Sequence, residues 1–336
     1  MIRSGKTDMK IFIYNIRDYD ERPIFDMLSE KYGFEYTGID GYETEENARM
    51  VEGCQAVSIL VSGLTDRILE IFAEHGIKYL ITRSVGTDHI NLEKCRELGI
   101  RVSHVDYGPE GVAEYAVMLM LMLLRRMGHI MKRVEVQDFS LKNKMGREIS
   151  QCTVGVIGTG RIGKTVISDL SGFGCKLLAC GHHPEEMQGQ RAEAVSFDRL
   201  IEESDIITLH TPGGEDNFHL ISKAAIEKMK MGVLIVNTAR GTLIDTDALI
   251  EGIESGKIGG AALDVLEDEN GLYYWDRSGD VIDNRQLAML KSFPNVIVSP
   301  HTAFYTDQAV YGMCYHVFEA VRRFEAGEEN PLEAKA

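Results

Sequence analysis

TVGVIGTGRIGKTVISDLSGF, residues 153–173, is the stretch whose reading decides the fold. It opens on an apolar run, Val154-Gly155-Val156-Ile157, of the kind that forms a buried parallel strand. Gly158-Thr159-Gly160-Arg161-Ile162-Gly163 follows at once, and apolar residues then recur at helical spacing through Ile162, Val166, Ile167, Leu170 and Phe173. In that setting each glycine has a task. Gly158 permits the tight turn, Gly160 lets a pyrophosphate approach the backbone, and Gly163 lets the helix pack on the strand. The phosphates would rest on N–H groups at the helix N-terminus. Without the strand and helix the same spacing describes only a flexible turn; with them it predicts dinucleotide binding.

Upstream, Lys10 to Tyr14, Glu35 to Ile39, Ala56 to Leu60 and Lys78 to Thr82 read as short buried strands. Pro23 to Tyr32 and Asp66 to Glu74 read as helices. Alternating β and α predicts a parallel sheet with helices on its faces, a doubly wound unit of its own. Downstream, further strands are expected at Lys176 to Cys180, Asp205 to His210, Val233 to Asn237, Gly260 to Asp264 and Val296 to Ser299, with helices at Thr246 to Glu254 and Thr306 to Glu325. The fold class is therefore α/β with two doubly wound parallel-sheet domains, and the chain length of 336 residues suits two domains. No Pro/Ser-rich linker separates them, which puts the hinges near residues 107 and 305. Pro109 to Met127 is apolar nearly all round, so it is buried in a core or in a subunit interface. It is the candidate surface for a homodimer.

The formal net charge of −16 argues against a nucleic-acid partner, since no basic surface is evident. It does not exclude an anionic substrate, because one arginine can hold a carboxylate. No apolar run reaches the length of a membrane span; Ala116 to Leu124 is the longest and ends in Arg125-Arg126. The N-terminus carries no signal-peptide core, and Met1 to Asp8 reads as a polar extension. The six cysteines are scattered without a CxxC pair, which predicts reduced thiols in the cytoplasm and no metal site.

Three polar residues follow strands in the second half: Arg240 in NTARG, Glu269 beyond Asp264, and His301 in SPHTAFYT. All three would gather at the carboxyl edge of one sheet, where ligands of such sheets bind. An arginine grips a carboxylate through two parallel N–H bonds. A histidine exchanges a proton near neutrality, and a carboxylate behind it favours the imidazolium. Reduction of a 2-keto acid requires that set. Singly, Arg240 also suits a helix cap, Glu269 a solvated acidic loop and His301 a structural role; Glu267 is the alternative acid. Arg83-Ser84-Val85-Gly86-Thr87-Asp88 also follows a strand, and reads equally as a ligand loop or a plain turn at Gly86.

On RSVGTD (83–88), Tyr107-Gly108-Pro109, GTGRIG, His210-Thr211-Pro212, NTARG, ALDVLEDE (262–269) and SPHTAFYT, the chain resembles the D-isomer-specific 2-hydroxyacid dehydrogenases over nearly its whole length. The segment Asn270 to Leu290 with Tyr273-Tyr274-Trp275, and the string HTAFYT, resemble the D-lactate dehydrogenase branch, above all its vancomycin-resistance type. The resemblance implies a Rossmann-like cofactor domain, residues 107–304, inserted in a flavodoxin-like substrate domain, residues 1–106 plus 305–336. It implies a homodimer and reduction of pyruvate or a related acid. Arg240 would bind the substrate carboxylate and carbonyl, His301 would be the acid/base, and Glu269 its partner. Val85 and Gly86 would offer N–H groups to the carboxylate, and Tyr107 and Phe304 would line the pocket. Gly158, Gly160, Arg161, Ile162, Gly181, His182, His210, Pro212, Asn217, Thr238, Ala239, Arg240, Asp264, His301 and Ala303 would surround the cofactor.

One position departs from that pattern. NAD-preferring members carry an acid at the end of the second strand for the ribose hydroxyls. Here Cys180 leads into Gly181-His182-His183, so NADP(H) stands beside NAD(H) as the expected cofactor. Among rivals, the long segment between Glu269 and His301 speaks against glycerate and formate dehydrogenases. A dinucleotide-sensing corepressor on the same fold is the rival of another class. Phenylpyruvate, 2-ketoisocaproate and 2-oxoglutarate are the alternative substrates.

Overall fold

A computed structural model describes residues 9–181, 191–269 and 271–335. The polar extension at 1–8 and His182 lie outside the described residues. The chain divides into two compact units, Met1–Gly108 with Tyr305–Ala336, and Pro109–Phe304. Tyr107 and Gly108 thus belong to the first unit.

The first unit is a six-stranded sheet. Its strands are β1 (Lys10–Tyr14), β2 (Glu35–Ile39), β3 (Ala56–Ile59), β4 (Tyr79–Thr82), β5 (Arg101–Ser103) and β13 (Glu333–Ala334), in the order β13-β5-β4-β3-β1-β2. All pairs are parallel except β13 on β5. β1, β3 and β4 are almost wholly buried, which is why they read as continuous apolar runs. Helices α1 (Arg22–Tyr32), α2 (Asp66–Glu74), α3 (Leu92–Glu97) and α11 (Asp307–Ala326) cover this sheet. Thr306 caps α11 by accepting from the N–H of Ala309. Phe318 of α11 packs among Phe25, Tyr32 and Phe34, and Arg101 pairs with Glu333. The C-terminal segment is thereby built into the first unit.

The second unit is a seven-stranded, all-parallel sheet. Its strands are β6 (Thr153–Ile157), β7 (Lys176–Cys180), β8 (Glu193–Ala194), β9 (Ile206–Leu209), β10 (Val233–Asn237), β11 (Ile258–Leu263) and β12 (Val296–Val298), in the order β12-β11-β10-β9-β6-β7-β8. The chain winds outward from β6 in one direction and restarts beside it at β9, so the switch point lies between β6 and β9. Helices α4 (Glu110–Leu124), α5 (Met127–Glu135), α6 (Arg161–Leu170), α7 (Phe197–Glu203), α8 (Lys223–Lys228), α9 (Thr246–Glu254) and α10 (Arg285–Ser292) complete it.

The helix expected from 109 to 127 stops at Leu124, because Arg126 takes a left-handed φ of 54° before α5 begins. One side of α4 packs in the core, while Met118 stays exposed. Ala113, Ala116, Leu119, Met120 and Leu123 pack with Val154, Val166 and Leu170 of β6 and α6. α5 contributes no buried residue.

Candidate active site

Gly158 turns the chain off β6 with φ of 96°, and a Cβ there would lie 2.4 Å from the carbonyl oxygen of His210. A Cβ on Gly163 would lie 1.9 Å from the carbonyl oxygen of Gly158, so α6 sits directly on the turn. Gly160 is different: a Cβ there meets nothing within 4 Å. Its face is open at the N-terminus of α6, where first-turn N–H groups lack helical acceptors and no side chain supplies a cap. Across the same edge, the buried Thr238 Oγ1 after β10 has no hydrogen-bond partner. An open glycine face, an uncapped ten-residue helix and an orphaned hydroxyl fit the pyrophosphate and ribose of a dinucleotide.

His210 follows β9, its Nε2 2.9 Å from Thr208 Oγ1, and enclosure of the ring pushes its pKa down to about 3. It is a neutral imidazole at physiological pH. Asn217 donates from Nδ2 to the Pro212 carbonyl at 3.1 Å and so holds the loop beyond β9. Gly181 follows β7, and a Cβ there would meet Thr159 Oγ1 at 2.1 Å. The place of the missing acid is occupied by a neighbouring side chain.

Asn237, fully buried at the end of β10, shapes the NTARG turn. Its Oδ1 accepts from the Ala239 N–H at 3.0 Å, and its Nδ2 donates to the Arg240 carbonyl at 2.8 Å. Arg240 Nη1 donates to the Ala239 carbonyl at 2.9 Å. Gly241 then packs backbone to backbone on the next strand's loop, where a Cβ would lie 2.0 Å from the Leu266 carbonyl carbon.

Asp264, completely buried beyond β11, spends its carboxylate on the loop that carries the histidine. Oδ1 accepts from Ser299 Oγ at 2.7 Å and the Thr302 N–H at 3.0 Å, and Oδ2 accepts from the Ala303 N–H at 2.8 Å. The His301 N–H donates to the Asp264 carbonyl at 2.8 Å. His301 itself has φ of 52°. Its Nδ1 lies 2.6 Å from Glu269 Oε1, and Glu269 Oε2 accepts from the Leu266 N–H at 2.8 Å. That leaves Nε2 as the nitrogen for proton exchange. The rings of Tyr274 and Phe304 flank the imidazole at centroid distances of 6.1 and 6.2 Å. The Tyr274 hydroxyl donates to the His301 carbonyl at 3.2 Å.

The second unit therefore brings Arg240, Glu269, His301, Ala303 and Phe304 to the carboxyl edge that also carries the glycine turn. Val85, Gly86 and Tyr107 belong to the first unit. There Val85 is a solvent-exposed apolar residue after β4, and Ser84 Oγ donates to the Gly86 carbonyl at 2.7 Å. Beneath that loop Arg83 is completely buried. It bonds Glu21 Oε1 at 3.0 Å, Ser58 Oγ at 3.0 Å and the carbonyls of Tyr14 and Asn15. Glu21 carried no signal in the sequence, while Arg83, Asn237 and Tyr274 stood inside the RSVGTD, NTARG and Tyr273-Tyr274-Trp275 strings without roles of their own. Glu267, the alternative acid, faces His219 and Thr246 instead of His301. Among the described residues no group of His, Cys, Asp and Glu could hold a metal ion, and no helix is long and apolar enough to cross a membrane. All six cysteines are free thiols.

A carboxylate–imidazole pair beside a glycine cradle at a switch point is the equipment of a dinucleotide-dependent oxidoreductase. The comparisons narrow that class. The family described as D-isomer specific 2-hydroxyacid dehydrogenase, NAD binding domain, matches residues 117–303. A D-specific alpha-keto acid dehydrogenase of Enterococcus faecium is 41% identical over 93% of this chain and 96% of its own. An aromatic 2-oxoacid reductase of Clostridium sporogenes is 43% identical over 94% of this chain and 96% of its own. The D-lactate dehydrogenase of Escherichia coli is 38% identical over 97% and 99%. Among solved structures, a D-2-hydroxyisocaproate dehydrogenase superposes with a TM-score of 0.85 at 33% identity, covering 98% of this chain and all of that one. The chain belongs to the D-isomer-specific 2-hydroxyacid dehydrogenases. It is an NAD-binding oxidoreductase with this family's two α/β domains.

Proposed function

We propose that the protein reduces a small 2-keto acid, pyruvate or a near relative, to the D-2-hydroxy acid, with His301 as the acid. The observation that carries this is the 2.6 Å contact between His301 Nδ1 and Glu269, on the edge where Gly160 opens to a dinucleotide. The reduced nicotinamide, when bound, supplies a hydride to the keto carbon. His301 Nε2 gives its proton to the carbonyl oxygen, so the ketone becomes an alcohol and the imidazole becomes neutral. Glu269 stabilises the imidazolium before transfer. Arg240 holds the substrate carboxylate and carbonyl through its planar fork. Phe304, beside the imidazole, lines the pocket. Asp264 serves this chemistry by holding residues 299–303 in place as well as by facing the cofactor.

NADPH is accepted beside NADH on this reading, since Gly181 carries no carboxylate to repel a 2′-phosphate. The protein works in the cytoplasm as a homodimer. α4 is largely spent on its own core, so the partner copy covers α5 and the loop after it, where Met131, Val134, Val136, Phe139, Leu141 and Met145 are all exposed.

The deciding experiment is a substrate panel of pyruvate, phenylpyruvate, 2-ketoisocaproate and 2-oxoglutarate, run with NADH and with NADPH. A bulkier acid has support of its own in the likeness to an aromatic 2-oxoacid reductase and a hydroxyisocaproate dehydrogenase. Best kcat/KM with phenylpyruvate would move the preferred substrate there; no turnover of any keto acid would favour the corepressor-like alternative.

A further inference from the structure

Two carboxylates leave the bend after β11 two residues apart and serve different partners. Glu269 reaches His301. Glu267 Oε1 lies 2.8 Å from His219 Nε2, while its Oε2 accepts from the N–H of Thr246 at 3.0 Å and from the Thr246 hydroxyl. Thr246 is the first residue of α9, so the Glu267 carboxylate also sits at a helix N-terminus, where negative charge is favoured.

We propose that Glu267 is a positioning residue for the catalytic pair: anchored on α9 and on His219, it fixes the bend from Leu266 to Glu269 so that Glu269 stays on His301. This rests on the roles given above to His301 and Glu269. Three observations on the bend support it. Glu269 Oε2 accepts from the Leu266 N–H at 2.8 Å, so the Val265–Leu266 peptide, which directly precedes Glu267, holds the catalytic carboxylate and a shift of the bend moves it. Asp268, between the two glutamates, has φ of 54°, a left-handed turn that points the carboxylates on either side of it to different partners. Gly241, next to Arg240, lies so close to the Leu266–Glu267 peptide that a Cβ would meet it at 2.0 Å, leaving the bend no slack. His219 is tied to the same turn, its N–H donating to the Thr242 carbonyl at 2.9 Å. One carboxylate thus ties the bend to a helix end, to the loop of His219 and, through Gly241, to the turn that presents Arg240.

A residue that merely capped α9 would affect stability alone. The test is Glu267→Gln in the full-length protein, which keeps the shape but replaces one acceptor oxygen with a donor group. Reductive kcat is measured across pH with the best keto acid of the panel and NADH, together with the thermal midpoint, and Glu269→Gln is assayed alongside. The expected result is a ~10–100-fold fall in kcat, the scale of a small misplacement of a catalytic group, with the high-pH fall of activity moved to lower pH in both variants. A profile that stays on the wild type for Glu267→Gln while Glu269→Gln shifts it would overturn the proposal and leave Glu267 a helix cap. Failure of the underlying reading looks different, because Glu269→Gln would then leave the profile in place as well. Should Glu267→Gln not yield folded protein, His219→Leu, at a half-buried residue, removes one donor to Glu267 and carries the same test: a shifted profile supports the proposal and an unshifted one overturns it.

Discussion

His301 holds a left-handed backbone, φ of 52°, which costs a non-glycine residue on the order of 1–3 kcal/mol unless its surroundings impose it. They do: Asp264 accepts from the residues on either side of the ring, and Glu269 takes Nδ1. His301→Ala should lower reductive kcat by ~10²–10⁴, the range for losing general acid catalysis, while leaving NADH binding by fluorescence titration nearly unchanged. Wild-type turnover would remove His301 from the mechanism. Arg240→Lys keeps the charge but not the planar fork, so a large loss in kcat/KM for keto acids is expected; recovery of most activity by lysine would rule out bidentate binding. Gly181→Asp should shift preference toward NADH by ~1–3 kcal/mol. Because the Thr159 hydroxyl stands where the new Cβ must go, part of that gain should appear only when Thr159→Ala is added. The measurement is kcat/KM for both cofactors at pH 7, and a wild-type NADH preference above ~100-fold, the span of about 2.7 kcal/mol, would return Gly181 to plain NAD binding. His210 supplies a pH prediction. Its pKa is lowered from 6.5 to about 3 in the folded chain, so the unfolded chain binds the proton first. The stability from burying it neutral is whole above about 6.5 and is lost as pH falls toward about 3. His210→Asn should therefore flatten the fall of the thermal midpoint across that window; an identical slope in both proteins would show that His210 does not titrate on unfolding.

At the scale of elements, each strand end carries a device that aims the loop behind it. Asn237 shapes the NTARG turn, Asp264 holds the loop from Ser299 to Ala303, and Arg83 with Glu21 underpins the loop of Val85 and Gly86. Arg83 and Glu21 are both completely buried, and with Arg83 removed Glu21 is left with the longer 3.4 Å pair to Arg17. Arg83→Met should cost ~3–5 kcal/mol in denaturant unfolding of the first unit, as breaking buried pairs does. Arg83→Met with Glu21→Gln together should recover much of the loss, and equal losses in the single and double variants would mean the pair is not the origin of the cost. A helix end also decided something composition did not. Pro109 to Met127 reads as one helix from its apolar run, but the left-handed Arg126 ends α4 and starts α5 on a new axis.

At the scale of the whole molecule, the exposed apolar surface after α4 bears on assembly. Leu141 and Met145 are 89% and 88% exposed. Leu141→Asp with Phe139→Asp should convert a dimer to monomer in sedimentation velocity without lowering the stability of the isolated chain; an unchanged sedimentation coefficient would place the interface elsewhere. Much of the protein was determined by local sequence. The strand, glycine turn and helix around Gly158 are set by residues that are neighbours in the chain. Alternating apolar runs and helical spacings are local too, so the parallel α/β class followed from them. The placement of Arg240, Glu269 and His301 at one edge was legible because each follows a predicted strand, and parallel strands bring their carboxyl ends to one edge. The tertiary structure alone decided the rest, since each remaining feature depends on residues far apart in sequence. Thr159 fills the space beside Gly181, Asp264 reaches across to Ala303, Arg83 is buried on Glu21, and Glu267 turns to Thr246 while Glu269 turns to His301. A carboxylate's neighbours along the chain do not reveal which of two glutamates meets the histidine; that choice is made by the left-handed turn at Asp268 and by the close packing of Gly241 on Leu266.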